Sequence, residues 1–170
     1  MTHPLTTERM ADMANRIQQR PYRQSQDSPI FWLVRAKLTA TTGPTQDAIA
    51  TFRSQLQDRK FASESAAHYG LALALARNRD YKGAEAELQA ARKGSVATPM
   101  FETLAADLKL KQGDTAGAVT ILKATNAKYP ASRAAVYALL DILVNDNKPR
   151  EALDIATREL KSYPKDPKLH

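Results

Sequence analysis

Three alanines, Ala84, Ala118 and Ala152, follow one another at intervals of 34 residues. Each stands just inside a helix-like segment: Asp80-Tyr81-Lys82-Gly83-Ala84, Asp114-Thr115-Ala116-Gly117-Ala118 and Lys148-Pro149-Arg150-Glu151-Ala152. Pro130 and Pro164 keep the same interval, each behind a tyrosine. A fixed period of this length means one small unit that cannot bury its own apolar face, stacked on copies of itself. No stretch alternates apolar and polar residues over strand length, so the unit is a helix pair. Apolar spacing and end signals predict helices near 6–19, 29–41, 45–58, 63–77, 81–92, 99–112, 115–128, 132–146 and 149–162. Ser28-Pro29, Thr98-Pro99, Asp80, Asp114 and Ser132 are the expected N-terminal caps. Thr42-Gly43-Pro44, Asn78, Gly113 and Asn145-Asp146-Asn147 are the expected turns.

The residues at matching positions resemble the tetratricopeptide repeat (TPR). One unit carries His68, Leu71, Ala72 and Leu75 on its first helix, then Ala84, Leu88 and Ala91 on its second. The next carries Ala105, Ala106, Ala118, Leu122 and Pro130; the last carries Val136, Leu139, Leu140, Leu143, Ala152 and Pro164. An earlier, more divergent unit has Trp32, Ala36, Ala48 and Phe52, with a register slip of two residues before Ala84. Glu102 and Lys109 stand where a large apolar and an aromatic residue are usual. The resemblance implies an all-α, TPR-like right-handed superhelix of about four antiparallel helix pairs plus an N-terminal helix. Residues 1–28 form the N-terminal linker and helix, and 29–170 the array, with repeats at 29–62, 65–98, 99–132 and 133–164. Small residues at 72, 84, 106, 118 and 152 let paired helices approach closely.

Chemistry-bearing patterns are missing. There is no Cys, so no thiolate metal site and no cysteine nucleophile. His3, His68 and His170 show no metal-ligand spacing, and no Gly-rich phosphate loop or nucleophile elbow occurs. His68 at a bulky helix position reads as packing. No run of 18 apolar residues is present, so no membrane-spanning helix is expected. The net charge is +7, but the basic residues are scattered, without the cluster or aromatic signature of a nucleic-acid binder. An RNA-binding helical repeat is the weakest of the readings the charge permits.

In TPR proteins, positions 2, 5, 9 and 12 of each first helix line a concave groove that binds protein segments. Carried over, these are Ile30, Leu33, Lys37 and Ala40; Ala66, Tyr69, Leu73 and Ala76; Met100, Thr103, Asp107 and Leu110; and Ala134, Tyr137, Asp141 and Val144. With one Lys and two Asp the set argues against a clamp for a peptide carboxylate. It suits an apolar or mildly basic segment, with Tyr69 and Tyr137 as anchors.

The opening residues Thr2, His3, Pro4 and Arg9, leading into a helix through Ala11, Ile17 and Arg20, resemble the stretch that follows the catalytic core in HExxH zinc metallopeptidases of the prenyl-protease type. That type includes bacterial periplasmic members with C-terminal TPRs (BepA-like). The resemblance implies a fragment that lacks the catalytic domain and holds no cofactor, catalytic residue or metal ligand of its own. Zinc would sit in the missing domain, with His3 near it. It further implies a periplasmic, chaperone-like role in outer-membrane assembly and envelope protein quality control, recruiting protein substrates to the peptidase. A free-standing TPR adaptor in secretion or pilus assembly is the alternative. The outer face of the last helix, with Leu153, Ile155 and Leu160, is expected to be exposed and to support self-association.

Overall fold

The computed structural model describes residues 7–18 and 27–169, and every regular element among them is helical. The helices are α1 (Thr7–Gln18), α2 (Pro29–Thr41), α3 (Thr45–Gln57), α4 (Glu64–Arg77), α5 (Tyr81–Lys93), α6 (Pro99–Lys111), α7 (Thr115–Lys128), α8 (Arg133–Asn145) and α9 (Pro149–Ser162). Where both are described, these ends fall within one residue of those expected.

The helix starts follow from local chemistry. The side chains of Ser28, Ser63, Asp80, Thr98 and Asp114 each accept a hydrogen bond from a backbone N–H of the first turn. They satisfy donors that the helix itself leaves unpaired. Pro29, Pro99 and Pro149 occupy first helical positions, where a missing N–H costs nothing. Ser132 departs from expectation, because its side chain makes no capping bond. It lies in a tight turn in which its backbone N–H bonds the Tyr129 carbonyl.

The helices pair as α2 with α3, α4 with α5, α6 with α7 and α8 with α9. The first helices of the pairs form a continuous layer, α2 on α4, α4 on α6 and α6 on α8, and each second helix reaches the first helix of the following pair. This is the TPR-like superhelical stack that the period implied. Ala72, Ala84 and Ala118 are fully buried, and Ala106 and Ala152 nearly so.

The core divides into two clusters that meet at α6. Phe101, Leu104 and Leu108 on one side of α6 join α2–α5, while Ala106 on the other joins α7–α9. The departures from the repeat pattern are accommodated by charge. Glu102 accepts from Arg92 of α5 at 2.8 Å, and Lys109 lies 3.8 Å from Asp114. Arg77 ties the α2–α3 turn to α4 by donating to the carbonyls of Ala40 and Gly43. No helix among the described residues is long and apolar enough to cross a membrane.

Candidate protein-binding face

The layer α2–α4–α6–α8 presents the positions that the repeat register assigns to the groove, and the structure sorts them into open and closed. Ile30, Lys37, Leu110, Asp141 and Val144 are exposed. Leu73, Met100, Thr103, Asp107 and Tyr137 are half-buried, with part of each side chain still accessible. Thr103 is turned back on its own helix, donating to the Met100 carbonyl at 3.0 Å. Asp107 is 3.5 Å from Lys111 one turn on.

Leu33 and Tyr69 do not line an open surface. They are 1% and 2% exposed, and Ala40, Ala66 and Ala76 are buried as well. The reason is the composition of α4. Its Ala66, Ala67, Gly70, Ala72, Ala74 and Ala76 let α2, α3 and α5 close around it. The Tyr69 ring then packs edge-on against Phe101 of α6, with centroids 5.6 Å apart. Burial pushes its phenol well above the ordinary tyrosine range, because the charged form would lose its hydration. Tyr69 is a core residue that joins two repeats, not an anchor for a ligand.

Tyr137 is accessible but engaged. Its hydroxyl donates to Asp166 Oδ2, which also accepts from Arg133 Nη2 at 2.7 Å and Nε at 3.0 Å. Arg133 Nη1 reaches Glu159 at 3.1 Å, and the guanidinium lies over the Tyr163 ring at 4.3 Å. Lys168 Nζ sits over the Tyr137 ring at 4.9 Å. The residues after α9 are therefore folded back onto α8, with Leu169 buried. The hydrogen bond from Tyr137, then those from the Lys168 N–H and Arg133, hold the Asp166 carboxyl below the ordinary aspartate range. The same bond to Asp166 holds the Tyr137 phenol above its ordinary range.

This arrangement corrects the expectation of a bare last helix. Ile155 is buried and Leu160 half-buried, and only Leu153 of the three is exposed. Repeat logic missed the cluster because Arg133 and Asp166 lie 33 residues apart, on either side of the last unit. His3 lies outside the described residues. His68 packs half-buried, with Nδ1 2.6 Å from Glu87 Oε2, which ties α4 to α5.

Apolar side chains with a few charges along one layer of helices can bind a protein segment, and among the described residues no group of three or more His, Asp or Glu could hold a metal ion. No curated protein matches the chain. The sequence profile of the tetratricopeptide repeat matches residues 33–97 and again 103–167, which together are more than half of the chain. The matched blocks coincide with the two halves of the stack, and the chain belongs to the tetratricopeptide repeat family.

Proposed function

We propose that this TPR array binds a protein segment along α4, α6 and α8. Leu73, Met100, Leu110 and Val144 would supply apolar contact, and Asp107 and Asp141 would set register and charge. The observation that carries this reading is the run of accessible apolar side chains on the layer that the family uses for recognition. With Leu33 and Tyr69 withdrawn into the core, the usable face is displaced toward the C-terminal three repeats. The array performs no chemistry of its own; it holds a partner.

The finer reading is that the array serves a zinc metallopeptidase, positioning protein substrates in bacterial envelope quality control. Thr2, His3, Pro4 and Arg9 support it by their resemblance to the segment behind the catalytic core of such enzymes. A periplasmic location and a zinc held outside this chain belong to the same reading.

Two experiments separate the levels. A photo-crosslinking residue at Leu110 or Val144 is expected to give protein adducts that the same residue at Gln89 of α5 does not. Equal adduct yields from both positions would overturn the groove. An antibody against this chain can then isolate the native protein for mass and metal analysis. A species much larger than 18.8 kDa with about one zinc supports the peptidase reading. A zinc-free species near 18.8 kDa makes the array a free-standing adaptor instead.

A further inference from the structure

Helix α2 is apolar on two sides. Leu33, Ala36 and Ala40 point into the core. On the far side Ile30, Phe31, Val34 and Leu38 form a second stripe, 44–61% exposed, spaced one helical turn apart along the axis. A helix apolar on both sides ordinarily has neighbours on both sides. Among the described residues α2 touches only α3 and α4, and no helix faces its outer side.

Helix α1 carries the complementary surface. It is polar over most of its circumference, and Asp12 and Arg16 pair with each other at 3.0 Å. Its side chains Met10 and Met13 lie on one stripe and are each 59% exposed. Among the described residues, α1 makes no contact with another helix. Ten residues separate Gln18 from Pro29. Extended, they reach about 33 Å, far more than the roughly 8–10 Å between the axes of packed helices. Because both stripes belong to one chain, their encounter is intramolecular and, unlike docking of a second molecule, does not weaken on dilution. Helical arrays also require a terminal element whose outer face is polar, and α1 has one.

We propose that α1 folds back antiparallel on α2 and caps the N-terminal end of the array, with Met13 over Ile30 and Val34 and with Met10 near Leu38. Methionine suits this role because its unbranched thioether adapts to an irregular apolar surface. One consequence is that Ile30 leaves the set of residues open to a partner, while Leu73, Met100, Leu110 and Val144 are untouched.

The absence of cysteine makes the test direct, because any introduced pair is the only pair. In the full chain, Met13→Cys with Val34→Cys should form a disulfide within one molecule. The rate should exceed that of Asn15→Cys with Val34→Cys, on the polar side of α1, by about tenfold or more. Equal rates would mean that the tether alone brings the thiols together, and would overturn docking. A disulfide formed mainly between two molecules would assign the α2 stripe to a second copy and overturn α1 as its occupant. Amide exchange on the unsubstituted chain is the independent check. Protection of α1 that is lost in Val34→Asp, with α4 still protected, supports the cap. Free exchange of α1 in the unsubstituted chain overturns it.

Discussion

Arg79 adopts φ 62°, in the left-handed region that an L side chain enters at a cost. Gly113 and Asn147 hold the same place in the next two units, at φ 86° and 56°. In each unit the following N–H closes onto a carbonyl five residues back: Asp80 to Leu75, Asp114 to Lys109 and Lys148 to Leu143. The turn thus repeats at intervals of 34, while the residue that makes it does not. Gly113 and Asn147 are legible as turn signals. Arg79 is not, because arginine has no preference for this conformation and only the register points to it. Arg79→Gly should therefore stabilise the chain by about 0.5–1 kcal/mol, read as a rise in thermal midpoint. An unchanged or lower midpoint would show that the arginine side chain contributes more than its backbone costs. A different constraint governs Gly70. A Cβ there would lie 2.3 Å from Cζ of Phe52, whose ring end packs against this turn of α4. Gly70→Ala should cost about 1–3 kcal/mol by overpacking, and Phe52→Leu in the same chain should recover part of it.

At the scale of the element, helix positions were the most readable feature. Caps, prolines and apolar spacing all mark the same ends, and tertiary packing had no reason to move them. The return of residues 163–169 onto α8 was not readable, because it depends on which charges meet across a whole repeat. Its stability has a definite pH dependence. The Asp166 carboxyl titrates lower when folded than its ordinary 3.8, so its contribution is complete above that value and disappears as pH falls through the lower folded value. The tail should stay docked at neutral pH and detach only in acid. Asp166→Asn should weaken docking at neutral pH and remove most of the acid dependence. Amide exchange at Lys168 and Leu169 checks the tail directly. Tyr137 supplies a second readout. Its phenol titrates above 10.0 because of its bond to Asp166, so Asp166→Asn should return its alkaline transition toward the ordinary value. A Tyr137→Phe chain identifies that transition in the absorbance titration.

For the whole molecule, the governing property is that each repeat touches only its neighbours. The two apolar clusters share one helix, α6, and among the described residues no helix of α2–α5 contacts one of α7–α9. The same property explains which part of the candidate face could be read from sequence. Register alone places Lys37, Leu73, Leu110, Asp141 and Val144 on the layer of first helices, and each retains accessible surface. It cannot show that the alanine-rich α4 draws its neighbours in until Leu33 and Tyr69 are closed over. That outcome depends on how near α2 and α6 come, which no single unit specifies. Ala118 tests the coupling between repeats. It is fully buried where α7 meets the α6 and α8 layer. Ala118→Leu should overpack that contact and cost about 1–3 kcal/mol. In a nearest-neighbour array the damage should stay local. Amide exchange should quicken across α6–α9 while α2–α4, held by their own cluster, keep their protection. Uniform loss of protection from α2 to α9 would mean that the array folds as one cooperative unit, with α6 transmitting strain rather than absorbing it.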